Sequence, residues 1–172
     1  MPGIIDKVLD LVRIETGALE LTKSEFELAH LVFKVSNTVA DLAQARKVGL
    51  SQDLPGDGLM VWADRGRVRQ AIIALLSKCI ALIGGDGIDN CKVLLPRSHP
   101  AFQNRRNEAM YFIRTVGSSV SPERMALTLQ PLEGILTSRD GERLGIGYGL
   151  PIVCRLIKLH GGKLEVTGPD PD

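Results

Sequence analysis

The sequence has 172 residues, of which 44% are hydrophobic and 24% charged, and its formal net charge is +1. This balance is typical of a globular domain and excludes a disordered chain. Without a basic excess, nucleic acid and anionic lipid are not expected as partners. No stretch is long and apolar enough for a membrane span, and no signal peptide is recognisable, so we expect a cytoplasmic chain without a membrane segment.

The N-terminal part of the sequence predicts a helix followed by a short strand. Apolar residues recur at helical spacing over residues 4–15, and Gly17 suits the position just after a helix C-terminus. Residues 18–22 alternate and predict a short strand. Ser24 is then a candidate N-cap, with Glu27 as its capping-box partner, for a helix over residues 25–46.

The middle of the chain alternates between short strands and helices. Strands are predicted at residues 49–54 and 59–63, and a helix begins at Asp64 and runs to residue 83. The remaining predicted elements are two adjacent strands at residues 93–95 and 110–113, a short helix at 122–132, a helix after residue 150 and a last strand at 163–167. Several strands follow one another without a crossover helix, which favours an α+β two-layer sandwich with a mixed sheet and helices on one face.

A glycine-rich sequence, GIGYGL at residues 145–150, runs directly into an apolar-periodic helix. Glycines at alternate positions leave backbone N–H groups free to approach an anion, and a helix N-terminus favours phosphate. A loop of this kind before a helix is compatible with phosphate binding and equally with a plain tight turn.

Three stretches resemble the ATP-site blocks of sensor histidine kinases, whose ATPase fold is shared with gyrase, the 90 kDa heat-shock chaperones and mismatch-repair proteins. They are residues 64–83, 115–132 and 145–167, in the expected order. The resemblance implies that residues 1–17 are a remnant of a helical dimerisation region. Residues 18–172 would then form the ATPase-like domain without its last strand, and a homodimer through residues 1–16 is a further expectation.

The glycine-rich sequence at residues 145–150, which we call the glycine box, fits the family pattern well. It keeps Gly145, Gly147, Gly149 and Leu150, so the resemblance implies a loop that can wrap a triphosphate. ATP is therefore a candidate ligand of this chain.

The block at residues 64–83, the asparagine box of the family, departs from the family pattern. Ala74 and Lys78 stand where the family usually has two asparagines, and Ala81 replaces the phosphate-reaching lysine. In the family the second asparagine ligates Mg²⁺, which requires oxygen donors that an ammonium group lacks. Mg²⁺ is therefore doubtful as a cofactor, and no metal ligand is assigned. Lys78 could itself face the phosphates, or it could be a solvated surface lysine.

The block that begins at residue 115, which reads adenine in the family, also departs from the family pattern. Thr115 replaces the aspartate that accepts a hydrogen bond from adenine, and Gly117 follows at the expected spacing. A neutral acceptor forms a weaker bond than a charged one. In the next block, leucines at positions 129 and 132 replace an aromatic pair.

By this resemblance, the helix on which the family carries its phospho-accepting histidine is not expected among these residues. His30, His99 and His160 are interpreted as structural or solvated, and no catalytic residue is assigned. Three widely spaced cysteines, Cys79, Cys91 and Cys154, are interpreted as reduced, mostly buried thiols.

These departures leave two functions open. The preferred hypothesis is a degenerate, pseudokinase-like regulatory or scaffold module of two-component signal transduction, whose partner is a response-regulator receiver domain or another histidine kinase. The alternative is an active ATP-binding catalytic domain that phosphorylates a histidine on another segment or chain. Whether the chain is an enzyme stays open on this sequence.

Overall fold

The computed structural model describes residues 12–13, 16–54, 59–83, 89–94, 112–116 and 150–164. In these ranges the elements are, in order, β1 (Ser24–Glu27), α1 (Leu28–Ala45), β2 (Val48–Asp53), β3 (Met60–Ala63), α2 (Arg65–Ile83), β4 (Asp89–Leu94), β5 (Phe112–Val116) and α3 (Leu150–Leu159). Helices and strands interleave, as the sequence predicts.

The strands of the described ranges form two sheets. β1 and β3 pair antiparallel, and β2, β4 and β5 form a three-stranded sheet in that order. In the larger sheet β2 and β4 are parallel, whereas β4 and β5 are antiparallel. The parallel pair requires a crossover, which α2 provides. The predicted α+β fold with a mixed sheet is thereby confirmed.

The main core lies between α1, α2 and one face of the strands. Along α1 the buried residues recur at helical spacing, and along β4 the buried Cys91 and Val93 alternate with more exposed neighbours. The main core consists of Phe26, Leu28, Ala29, Leu31, Val32, Val35, Val39, Ala43, Val48, Ile72, Leu76, Ile80, Cys91 and Val93.

The predicted start of the first long helix is wrong. Residues 18–22 are not a strand, and Ser24 belongs to β1, where it pairs with Ala63 instead of capping a helix. The helix begins at Leu28, whose N–H donates to the Leu59 carbonyl at 2.9 Å. Pairing with β3 buries Phe26 in the main core, and Leu59, the residue before β3, supplies an acceptor for one of the N–H groups that the start of α1 leaves unpaired.

Most other predicted elements are confirmed within a residue or two. β2, β3, α2 and α3 lie where the sequence predicts them, and β4 and β5 are adjacent strands, although both include residues that the prediction missed. Gly17 has a φ of +71°, which fits the predicted position after a helix. Most of the predicted N-terminal helix and all of the predicted helix at 122–132 lie outside the described residues.

Candidate functional site around α2 and α3

A second, smaller apolar cluster joins α3 to α2. We call it the satellite core; its buried members are Ala71, Ala74, Ile152, Val153 and Leu156, and Leu19, Leu75 and Ile157 pack against it. The helix that follows the glycine box is therefore held on one face of α2, while another face of α2 contributes to the main core. Leu19, from the segment before β1, also packs against this contact.

α3 ends in a Schellman motif built by two glycines. Gly161 has a φ of +81°, and its N–H donates to the Lys158 carbonyl at 2.9 Å. The N–H of Gly162 donates to the Ile157 carbonyl at 2.9 Å. A Cβ at Gly162 would lie 3.0 Å from Cγ2 of Ile157, so that position also favours glycine sterically.

His160 connects this end of α3 to the start of α2. Its Nδ1 lies 2.7 Å from the Leu156 carbonyl, and its Nε2 accepts a hydrogen bond from the Asp64 N–H at 3.1 Å. Since a carbonyl can only accept, Nδ1 carries the proton and Nε2 is free to accept. The interpretation of His160 as structural fits these contacts, whereas His30 lies exposed on α1 and His99 lies outside the described residues.

Asp64 is the N-cap of α2 and also binds a distant segment. Its Oδ1 accepts from the Arg67 N–H at 3.0 Å, and its own carbonyl accepts the first helical bond from Val68 at 2.9 Å. Its Oδ2 accepts from the Thr22 N–H at 3.0 Å. Asp64 thus ties together the segment before β1, the start of α2 and, through His160, the end of α3.

These contacts make α2 and α3 antiparallel. The start of α2 meets the end of α3 at His160, and further along, Ala71 and Ala74 share the satellite core with Ile152, Val153 and Leu156. At about 1.5 Å per residue, the ten or so residues from His160 back to the start of α3 span about 15 Å. The same length along α2 from Asp64 reaches the turn that begins at Ala74, so the first turn of α3 lies beside this part of α2.

The two altered asparagine positions lie on one stripe of α2 but differ in environment. Ala74 is 6% exposed and packs in the satellite core, whereas Lys78, one turn further on, is exposed. The methyl group of Ala74 fits this apolar contact without burying a polar amide. Lys78 therefore offers its charge to solvent one helical turn beyond the satellite core.

The other predicted site residues are only partly described. Thr115 lies exposed on β5, opposite Cys91 of β4, and β5 contacts α2. Leu150 is the first residue of α3. Gly117, Gly145, Gly147 and Gly149 lie outside the described residues, so their roles stay predictions.

Buried thiols lie on the sheet side of α2. Burial raises the pKa of Cys79 to about 11, and burial together with the nearby Cys79 raises the pKa of Cys91 to about 12. Both thiols are protonated at neutral pH and are poor nucleophiles. Cys154 is partly exposed on α3.

No group of three or more His, Cys, Asp or Glu side chains in the described ranges could hold a metal ion. No helix in these same ranges has the length and apolar content of a membrane span.

Replacing Asp64 by alanine should lower the free energy of unfolding by about 1–2 kcal/mol, the usual cost of a lost N-cap. Asp64→Asn is the matched control because its side-chain oxygen can still cap α2, and it should retain most of the stability. Urea unfolding followed by circular dichroism measures both variants. Equal losses for the two variants would show that the cap is not what Asp64 contributes.

The curated relatives of this chain are histidine kinases. It is 27% identical over 95% of its length to the circadian input-output histidine kinase CikA of Synechococcus elongatus, and covers 21% of that protein. It is 29% identical over 99% of its length to the methanogenesis regulatory histidine kinase FilI of Methanothrix harundinacea, and covers 18% of it. The chain thus spans about a fifth of these relatives. No protein-family model matches the chain.

Solved structures with this fold are also histidine kinases. Acinetobacter baumannii AdeS aligns over 96% of this chain and 71% of its own, with a TM-score of 0.66 and 19% identity. ShkA, solved full-length with AMPPNP, aligns over 91% of this chain and 30% of its own, with a TM-score of 0.65 and 19% identity. ThkA, solved with the response regulator TrrA, aligns over 92% of this chain and 43% of its own, with a TM-score of 0.53 and 21% identity.

The resemblance to histidine-kinase ATP-binding domains is confirmed by these relatives and by the shared fold. The chain is thus similar in sequence to histidine kinases over nearly its whole length, and it has the fold of histidine-kinase catalytic domains.

Proposed function

We propose that this domain is a degenerate member of its kind that acts as a regulatory or scaffold module instead of transferring phosphate. The observation that carries the proposal is the environment of the two altered positions on α2. Ala74 is buried in apolar contact with α3, and Lys78 presents a cation where a histidine kinase would anchor Mg²⁺. Neither side chain can ligate a metal, and phosphoryl transfer by this class of enzyme requires one.

Nucleotide binding without a metal is compatible with this proposal. Lys78 lies one helical turn beyond Ala74, which packs against α3, and the N-terminal end of the α3 dipole also favours an anion. The ammonium group could then offset part of the phosphate charge that Mg²⁺ offsets in an active kinase.

The alternative function is an active catalytic domain that phosphorylates a histidine elsewhere. The intact glycine box and the firm attachment of α3 to α2 favour it, because both serve to hold a triphosphate. Among the structural neighbours, ShkA was solved with the ATP analogue AMPPNP. In this alternative another oxygen ligand must replace the missing asparagine.

Calorimetric titration with ATP, with and without Mg²⁺, separates these functions. The degenerate module should bind ATP equally well under both conditions or should not bind it. If binding occurs, Lys78→Ala should weaken it by about tenfold, as expected for the loss of one charged contact. Lys34→Ala, at an exposed position of α1, is the matched control and should leave the affinity unchanged.

Micromolar binding that requires Mg²⁺ would refute the degenerate module and support the active kinase. Incubation with radiolabelled ATP and a separate histidine-bearing dimerisation domain would then test phosphoryl transfer directly.

The expected partner is a response-regulator receiver domain or another histidine kinase. ThkA, which shares the fold, was solved in complex with a response regulator. We also propose that residues 1–16 mediate a homodimer and that the domain works in the cytoplasm. Sedimentation of the chain with and without residues 1–16 tests the dimer, and titration with purified receiver domains tests the partner.

A further inference from the structure

The small sheet of β1 and β3 has a buried face and an exposed face. Phe26 pairs with Val61, and both contact the main core. Because side chains alternate along a strand, the residues next to this pair point away from the core. These residues are the exposed Glu25, Met60 and Trp62 and the half-buried Glu27, and we call them the outer face.

Two large apolar side chains adjoin on the outer face. Trp62 is 69% exposed and Met60 is 52% exposed. They lie two residues apart on β3 and therefore share one side of the sheet. Single exposed apolar residues are ordinary on a protein surface, but tryptophan and methionine side by side are typical of a contact surface.

Two carboxylates border this apolar pair. Glu25 is the cross-strand partner of Trp62, and Glu27 is the partner of Met60, so each acidic side chain lies directly beside an apolar one. Within the described ranges, neither glutamate forms a salt bridge. The outer face thus combines an exposed indole with carboxylates that pair with no cation among the described residues.

We propose that the outer face binds a segment of another protein that presents arginine between apolar side chains. A guanidinium group can pair with a carboxylate through two parallel hydrogen bonds and stack on an indole ring at the same time. Apolar neighbours of that arginine would cover Met60 and the rest of Trp62. Arginine and tryptophan are also the residue types that dominate binding energy in protein interfaces.

The charge of the outer face excludes other occupants. Nucleic acid and anionic lipid would be repelled by Glu25 and Glu27. Two copies of the chain stacked face to face would bring their carboxylates together, which disfavours self-association through this surface. The proposal goes beyond nucleotide binding and holds whether or not ATP binds the domain.

Selection from a phage-displayed library of random peptides tests this surface on the full chain. The immobilised protein selects peptides, and a Glu25→Gln/Glu27→Gln variant serves for counter-selection. The expected result is enrichment of peptides in which arginine adjoins apolar residues. Enrichment of acidic or neutral peptides, or no enrichment over the variant, would overturn the proposal.

Binding of a synthetic peptide from the selection then measures how much the two glutamates and Trp62 contribute to the affinity. Trp62 is the only tryptophan of the chain, so its emission should shift to shorter wavelength as the peptide covers it. By calorimetry, Glu25→Gln/Glu27→Gln and Trp62→Ala should each weaken binding by about tenfold or more. Unchanged circular dichroism shows that each variant is folded.

The matched control is Glu20→Gln/Asp41→Asn, which removes the same charge from exposed positions outside the outer face. It should leave the peptide affinity within about twofold of the wild type, a difference far below the tenfold step of one lost contact. If this control weakens binding as much as Glu25→Gln/Glu27→Gln does, attraction is by net charge alone and the proposal fails. It also fails if sedimentation shows a dimer that Trp62→Ala abolishes, because a second copy would then be the occupant.

Discussion

Leu76→Ala should lower the free energy of unfolding by about 3–5 kcal/mol, the upper part of the range for leucine truncation in a core. The Leu76 side chain has 0% exposure and lies in the main core, where α2 meets α1 and the sheet. Truncation removes apolar contacts and leaves a cavity that close-packed neighbours on several elements cannot fill. Urea unfolding followed by circular dichroism measures the loss.

The neighbouring residue supplies the matched control. Leu75 is only partly buried and packs against the satellite core, so Leu75→Ala should cost about half as much or less. Both variants change the same side chain on the same helix, and helix propensity therefore cancels in the comparison. If Leu75→Ala proves as costly as Leu76→Ala, the main core is not the dominant source of stability.

The periodicity of the sequence is sufficient to predict α2, although not how its apolar residues divide between the two clusters. Apolar residues along residues 64–83 are too frequent for a one-sided surface helix, and the structure uses the extra ones to hold α3. Asp64 is also recognisable as the start of this helix, since aspartate is a preferred N-cap. Local chemistry determines both features, which is why the sequence alone predicts them.

The start of α1 is not determined locally. Ser24 and Glu27 have the spacing of a capping box, yet they lie in a strand because Phe26 reaches the main core only when β1 pairs with β3. The partner strand lies more than thirty residues away in sequence. Tertiary pairing overrides a local signal here, as it often does for short apolar segments.

The sequence predicts only part of the candidate site, because some of its contacts also join residues that are distant in sequence. Resemblance to the family identifies Lys78 and Thr115 as altered positions, but only the structure reveals that Lys78 is exposed while Ala74 is buried against α3. The bond between Asp64 and His160 joins residues 96 positions apart and has no local sequence signal. These contacts fix how the helix after the glycine box lies on α2.

Leu156→Ala should loosen α3 while leaving the main core folded. Leu156 is 1% exposed in the satellite core, and its truncation should cost about 2–4 kcal/mol of the free energy that holds α3 on α2. The satellite core has few members, so this loss removes much of its apolar contact. Amide hydrogen exchange should therefore speed up in α3 far more than in α1.

α3 should loosen without the main core because α2 separates the main core from the satellite core. The main core keeps α1, the sheet and one face of α2 together without any buried residue of α3. Opening of α3 therefore need not propagate beyond α2, although it would release His160 from Asp64. Leu156→Met keeps most of the buried volume and should exchange nearly as slowly as the wild type. Equal acceleration in α1 and α3 after Leu156→Ala would mean that the two clusters unfold as one unit, and α3 could then not move independently of the rest of the domain.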